Sequence, residues 1–452
     1  MASISSDLTA EISDPITEVT SPATPQLPAN LPKLIDLGGI ACPAIPEAVE
    51  DTGLDAAFVR DLGLRLANSV PNFTTDWAAG QLCLPMQIVD EAFWQMKDDK
   101  LVEILGQKGP FSYQYAITGR GREHAQRLLE ISGYVGPAPV SLESYTALLD
   151  WQIAQRPLVT SQAVRDTISE LVMPEHSVQV AELAVSSGRS LVLFGPAGNG
   201  KTSLGRMLHN AIDEDLWIPH CINIGNNVIR ILDDQSHDDV DPPADSAGKV
   251  DRRWVRIRRP MIVVGGEMTL ESLDLSYSKA LRFYEAPMHV KANGGTFLID
   301  DFGRQRVDPA ELLNRWIIPM EHQVDHLTLH TGQKIIMPFR LMLIVATNLS
   351  VDSVADPAFL RRMGYRLHLD KPTPDIYRKI FRNYAARFGI EVSSELLSKL
   401  LERYEREDRD LRCSEPRDLI ERVRDACRLR GEDLRIDQPL LDIAWAGYFG
   451  NQ

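Results

Sequence analysis

The chain has 452 residues, 44% of them hydrophobic and 25% charged, a globular composition long enough for two or three domains. No stretch of about 18 apolar residues and no basic-then-apolar start is present, so neither a membrane-spanning helix nor a secretory leader is expected. The formal net charge is -15, about half of it from nine acids and one lysine in residues 1–55, which disfavours non-specific nucleic-acid binding because phosphate attraction dominates that affinity. Cys42, Cys83, Cys221, Cys413 and Cys427 are scattered without a CxxC pair; the expectation is no zinc site, no disulfide framework, and a reducing, cytoplasmic compartment.

Residues 1–31 are rich in Ser, Thr, Pro and acids and read as a disordered tail. Residues 32–135 read as a small module. A helix is expected over 55–69, where Phe58, Leu62 and Leu66 fall at helical spacing, a second helix is capped by Thr74 or Thr75, and a third covers 85–99. Leu101–Leu105 and Tyr113–Thr118 read as strands around a turn at Gly106–Pro110, followed by a helix through Glu123 and Leu129. This order resembles a winged helix-turn-helix. The third helix carries Asp90, Glu91, Asp98 and Asp99 against Lys97 and Lys100, a balance that repels phosphate and favours a protein-binding or packing role over DNA reading. Residues 136–152, opening Gly136-Pro-Ala-Pro139, read as a linker. Residues 153–371 alternate helices with apolar strands, the pattern of an α/β domain with a mainly parallel sheet, and 372–452 carry only helical segments, a separate helical lid.

Within the α/β region, the apolar run Ser190–Phe194 leads into Gly195-Pro196-Ala197-Gly198-Asn199-Gly200-Lys201-Thr202-Ser203 and then into helical periodicity. This is GxxxxGK[ST] between a strand and a helix. Glycines let backbone N–H groups converge on phosphate oxygens, and the helix N-terminus adds positive partial charge. Lys201 is placed to reach the β- and γ-phosphates of ATP, and the Thr202 hydroxyl to hold Mg²⁺. A second apolar run, Thr296–Ile299, ends in Asp300-Asp301. Asp300 suits the metal opposite Thr202, and Asp301 suits orientation of an attacking water; capping of a helix is the bland alternative for Asp301.

The remaining landmarks resemble those of AAA+ ATPases, in their order. Leu341–Asn348 is a third apolar strand ending in Thr-Asn and looks like sensor 1, with Asn348 toward the γ-phosphate. Asp356–Arg362 and the following Arg366 resemble the segment carrying an arginine finger, with Arg361, Arg362 and Arg366 as candidates. Ser414-Glu-Pro-Arg417 opens a lid helix and resembles sensor 2, so Arg417 is expected at the nucleotide. Taken singly, each of these has a bland reading as a turn residue or surface ion pair. The resemblance spans about residues 153–450 and implies a P-loop NTPase core with a C-terminal helical lid, and a homo-oligomeric ring, most often a hexamer, in which the finger acts in trans. Most relatives carry Glu where Asp301 stands, which bears on hydrolysis more than on binding.

Ala292-Asn-Gly-Gly295 and the two alternating segments of Leu327–Met337 around Thr331-Gly332 resemble the pre-sensor-1 β-hairpin branch, which includes MoxR-like ATPases and bacterial enhancer-binding activators. In that branch an asparagine restrains the catalytic acid, a role Asn223 could take, and the hairpin faces the ring's pore. Residues 228–290 read as an insertion, acidic at first and basic at Arg252, Arg253, Arg256, Arg258 and Arg259, either a solvated hairpin or a partner-facing element. Arg304 and Arg306 could reach across a subunit interface or pair with nearby acids. The function expected is a Mg-ATP-hydrolysing motor that remodels or assembles protein complexes in the manner of a MoxR-like chaperone. A DNA-associated ATPase and a nucleotide-gated scaffold with weak hydrolysis are the alternatives.

Overall fold

The computed structural model describes residues 30–110, 112–212, 214–350 and 357–450. The expected tail therefore lies almost wholly outside the described residues, as does Asp356.

The sheet that positions the site has five parallel strands: β1 (Leu191–Phe194), β2 (Met261–Val264), β3 (Thr296–Ile299), β4 (Met342–Thr347) and β5 (Tyr365–His368). Their order is β2-β3-β4-β1-β5. A parallel sheet is covered on both faces, so its strands are apolar without alternation, and all six residues of β4 are buried. The period-2 geometry divides them between two layers. Val192, Phe297, Ile299, Leu343 and Val345 pack against Leu312, Leu313 and Trp316 of the helix Pro309–His322. Leu191, Leu193, Leu298, Ile344 and Ala346 pack against Ala181 of the helix Glu175–Ser187 and Leu204 and Leu208 of the helix Lys201–Asn210. This is the expected α/β core built on a parallel sheet, followed by a helical C-terminal part.

Strand β2 lies inside 228–290, so that segment is not wholly an insertion: it contributes a core edge strand. Its arginines are solvated only in part: Arg252 and Arg258 are exposed, whereas Arg253 and Arg259 are buried. Trp254–Arg258 pairs with Asp215–Pro219, and Arg253 is buried, its Nη1 donating to the Thr52 carbonyl at 2.7 Å and its Nη2 meeting Asp251 at 2.8 Å. A guanidinium so placed is tolerated because nearly every donor is satisfied.

Residues 136–152 form no linker. Val140–Ser141 pairs with Cys221–Ile224, and a helix, Leu142–Ala154, buries Tyr145, Leu148 and Leu149 in the second core cluster. The Gly-Pro opening hid an amphipathic helix that begins immediately after it.

In the N-terminal module, helices Ala56–Ala67, Thr75–Leu82 and Met86–Asp98 precede the hairpin of Val102–Gly109 and Ser112–Ile117, and the helix Gly119–Ile131 follows. Thr74 caps the second helix, its Oγ1 accepting from the Trp77 amide, while Asn72–Thr74 adds a third antiparallel strand to the hairpin. The module is not isolated: Cys221, Val228 and Phe283 of the α/β region lie in its core. Val324–Thr328 and Lys334–Pro338 form the expected antiparallel hairpin, burying Leu327, Ile335 and Met337 and exposing Ile336.

The C-terminal segment folds as four helices: Pro374–Ala386, Ser394–Arg406, Glu415–Arg430 and Gln438–Phe449. Thr373, Ser393 and Asp437 cap three of them. Tyr377, Phe381, Tyr404, Leu419 and Trp445 make a core of their own. No helix among the described residues is long and apolar enough to cross a membrane, and all five cysteines are unpaired.

Candidate active site

Sheet register alone gathers the chemistry. Phe194 pairs with Thr347 and with His368, and Ile299 pairs with Val345. The residues that follow β1, β3 and β4, namely Gly195, Asp300 and Asn348, therefore leave the sheet at one edge. There a cavity of about 290 Å³ is lined by Ala197, Gly198, Gly200, Lys201, Thr202, Ser203, Asp300, Asp301, Arg304, Asn348, Ser414 and Arg417.

Two glycines are required by the loop's path. Gly195 has φ 132°, and a Cβ there would meet the Leu369 carbonyl oxygen at 2.3 Å. Gly200, at φ 84°, starts the helix Lys201–Asn210 from a left-handed residue, leaving its first amides open toward the cavity. Pro196 and Asn199 complete the loop. Lys201 is buried, its Nζ donating to the carbonyls of Gly195 (2.8 Å) and Pro196 (2.9 Å). Burial pushes its pKa down, while Asp301 and Asp300 act the other way.

The Thr202 hydroxyl donates to both carboxylate oxygens of Asp300, at 2.8 and 2.9 Å. A hydroxyl and a carboxylate facing each other beside a phosphate loop are the hard oxygen donors that Mg²⁺ takes, and the pair fits that ion. Asp301 has φ 47°, a left-handed conformation that Asp tolerates better than most residues. Its Oδ1 accepts from Asn348 Nδ2 at 2.8 Å, and Arg304 lies 3.8 Å from its Oδ2. Thus Arg304 pairs with its neighbouring acid, while Arg306 is exposed.

The lid closes the site from above. The Ser414 amide donates to the Gly198 carbonyl at 2.9 Å, and the Cys413 amide to Asn199 Oδ1 at 3.3 Å. Arg417 lines the cavity, though its guanidinium also pairs with Asp418 at 3.0 Å. Beside it lies a second cavity of about 220 Å³, with Leu171, Met173, Met207, Ile380 and Tyr384 among its walls. It shares Gly198, Gly200, Ser203, Ser414 and Arg417 with the first. Its mainly apolar surface suits a planar base next to the phosphate loop. Sequence reasoning found the loop residues and Arg417 of this wall but none of its apolar residues, which come from three distant segments with no motif.

The arginine candidates lie elsewhere. Arg361 and Arg362 end the helix Pro357–Arg362, which enters β5 at the opposite end of the sheet. Arg361 is exposed, Arg362 meets Glu321 at 2.7 Å, and Arg366 Nη2 donates to the Leu360 carbonyl at 2.6 Å. None can reach its own chain's phosphate loop across the strands. Asn223 is likewise away from the acids: it sits in the strand Cys221–Ile224, and its Nδ2 meets the Gly225 carbonyl. The segment after β2, which reaches the acids, is Gly265-Gly266-Glu267, so the expected asparagine is misplaced by a whole strand.

That segment is joined to the acids by Gln305, which the sequence reading missed. Its Oε1 accepts from the Gly303 amide (2.7 Å), and its Nε2 meets the carbonyls of Asp300 (3.2 Å) and Gly265 (3.4 Å). One amide thereby fixes the turn that presents Asp301. Gln305→Ala is expected to lower ATP turnover on the order of 10–100-fold with ATP affinity unchanged, since a small misplacement costs rate before binding. Turnover compared with equilibrium nucleotide binding checks it.

Behind the loop, His209 ends the helix Lys201–Asn210 with Nδ1 2.9 Å from Thr296 Oγ1. Burial pushes its pKa from 6.5 down to about 4. The fold then binds fewer protons than the unfolded chain between those values. Its stability contribution is complete above pH 6.5 and declines as pH falls toward 4, with about 2 kcal/mol gone at pH 5. His209→Gln should flatten that dependence, as read from denaturation midpoints at pH 7 and 5.

A family model described as "Domain of unknown function (DUF8689)" matches residues 373–447, the lid. No curated protein matches. Among solved structures, the Thermotoga maritima RuvB Holliday junction branch migration motor is 16% identical, with a TM-score of 0.36 over 65% of this chain and 72% of that one. NtrX from Brucella abortus in complex with ADP is 13% identical, with a TM-score of 0.38 over 65% and 56%. The same protein in complex with ATP is 14% identical, with a TM-score of 0.37 over 71% and 62%.

Proposed function

We propose that this chain is a Mg-ATP-binding and hydrolysing AAA+ ATPase that works in a ring and remodels protein complexes. The observation that carries the reading is the pair of contacts Thr202–Asp300 and Asp301–Asn348, made within one cavity by residues 98 and 47 positions apart. A mere glycine turn has no reason to face two consecutive carboxylates and an amide.

The mechanism follows from the chain's own groups. The loop amides and Lys201 hold the triphosphate, the ammonium turning from the Gly195 and Pro196 carbonyls to phosphate oxygens. Thr202 and Asp300 would hold Mg²⁺, which offsets charge on the phosphates. Asp301, held by Asn348, accepts hydrogen bonds from a water and orients it in line with the γ-phosphate. Arg417 and the apolar cavity position the base and transmit its presence to the lid. Because Arg361, Arg362 and Arg366 face away from their own loop, a guanidinium at the γ-phosphate comes from an adjoining copy, which is why assembly is part of the reading.

A protein partner is favoured by the exposed face of the helix Met86–Asp98. It presents Glu91, Asp98 and the large apolar Trp94, a surface suited to protein and repellent to phosphate. The test has two parts. ATP turnover per subunit should rise with protein concentration as the assembly forms; absence of turnover at every concentration refutes the motor. The hydrolysis-blocked Asp300→Asn chain should retain a protein partner on a pull-down, whereas tight, salt-dependent duplex DNA binding would move the reading to a DNA-associated ATPase.

A further inference from the structure

A groove of about 500 Å³ runs along the seam between the N-terminal module and the α/β core, and it shares no residue with either cavity beside the phosphate loop. Three segments wall it: the helix Ala56–Ala67 with its cap Asp55, the end of the helix Gly119–Ile131, and the turn that joins Cys221–Ile224 to the strand Asn227–Arg230. Asn223, which lies away from the catalytic acids, lines this groove instead.

The walls offer three kinds of contact. Ile131 is 64% exposed and shares the groove with the partly buried Phe58 and Leu128. Asp55 and Asp61 bring two carboxylates to it; Asp55 also caps its helix through Oδ1, and Asp61 meets Arg60 only loosely, at 3.5 Å. The third kind is unspent hydrogen-bonding capacity. Asn223 Oδ1 is a buried acceptor without a partner among the described residues, its Nδ2 being turned to the Gly225 carbonyl. Arg65 is 4% exposed; its Nε donates to the Asp61 carbonyl at 3.3 Å and its Nη1 to the Ser132 carbonyl at 3.0 Å, while its Nη2 has no partner among the described residues.

A buried acceptor left open costs free energy that a ligand's donor recovers. One open acceptor and one open donor match the amide and carbonyl that every residue of an extended backbone carries. The apolar wall takes a side chain beside them. Two carboxylates against one guanidinium that is already largely committed leave the groove negative, which suits Lys or Arg and repels phosphate.

We infer that this groove takes an extended segment of a partner protein in which a Lys or Arg stands beside an apolar residue. The inference rests on the protein-partner part of the proposed function and not on hydrolysis.

The test selects a phage-displayed library of random peptides on the full-length chain without nucleotide. The enriched peptides are then titrated by fluorescence anisotropy against wild type, Asp61→Asn, Ile131→Ser and Asn226→Arg. Asn226 is an exposed turn residue on the groove wall, so Asn226→Arg puts a positive side chain there without disturbing a core. The enriched peptides should pair Lys or Arg with an apolar residue, and their binding should weaken about tenfold or more in Asn226→Arg and in the Asp61→Asn, Ile131→Ser double variant. The inference is overturned if no peptide is enriched, or if the enriched peptides bind every variant as they bind the wild type, which leaves the partner to the helix Met86–Asp98. It is equally overturned if no peptide competes and Asn226→Arg lowers the sedimenting mass of the assembly, the groove then being covered by a second copy. A chain that turns over no ATP loses the motor and keeps the groove; a chain that turns over ATP and binds no such peptide loses the groove and keeps the motor.

Discussion

Asp301→Asn is expected to lower the ATP turnover number by about 10²–10⁴-fold, the range a positioned general base contributes, with ATP affinity retained. The amide keeps the size of the side chain and one acceptor oxygen for Asn348, but it loses the charge and cannot accept a proton. An interaction needed only in the transition state is lost, which shows in turnover and not in binding. The neighbouring geometry makes the result specific. Asn348 donates to Asp301 Oδ1 at 2.8 Å, while Asp300 is turned to Thr202 and is spoken for. Glu267, on the segment after β2, is the nearest alternative acid by topology, but its carboxylate is engaged by the Gly265 amide at 2.8 Å. Asp301→Glu is not expected to improve the enzyme: position 301 has φ 47°, a region where the short Asp side chain is tolerated and a longer one has less local support. Steady-state turnover alongside equilibrium binding of a nucleotide decides the matter. If Asp301→Asn hydrolyses ATP within about twofold of the wild-type rate, water orientation belongs to another group.

What could be read from the chain alone divides along physical lines. The phosphate loop was legible because its chemistry is backbone chemistry: Gly195 has no room for a side chain, Gly200 takes a left-handed conformation that side chains rarely adopt, and that requirement is written in the letters. Strands β1, β3 and β4 were legible because burial on both faces makes them uniformly apolar. Strand β2 was not, since four apolar residues, Met261–Val264, follow a run of arginines that suggested a surface hairpin. Their burial depends on pairing with β3, a contact no local pattern reports. That one omission also displaced the expected asparagine to position 223. The helix Leu142–Ala154 was masked by the Gly-Pro motif before it. Gln305 and the base-side cavity escaped for another reason: they are assembled from residues far apart in sequence, each ordinary by itself.

Lys201→Met carries the second large effect, and it works in opposite directions on binding and on stability. With ATP and magnesium present at a hundred times the dissociation constant, the wild type should gain about 2.7 kcal/mol of apparent stability, which a thermal melt reads as a clear rise in midpoint. The variant should show no rise, because no other side chain in the cavity offers an ammonium to the β- and γ-phosphates; Arg304 is drawn to Asp301 at 3.8 Å and Arg417 to Asp418 at 3.0 Å. Without nucleotide the variant should be no less stable than the wild type. The ammonium is buried against the Gly195 and Pro196 carbonyls, and burial lowers its pKa, so its desolvation already costs stability that an apolar side chain of similar length avoids. A protein selected for its fold alone would not keep a lysine there; one that must grip a triphosphate would. If the Met variant melts at the wild-type temperature and is still raised by ATP to the same extent, the loop is a structural turn and the nucleotide binds elsewhere.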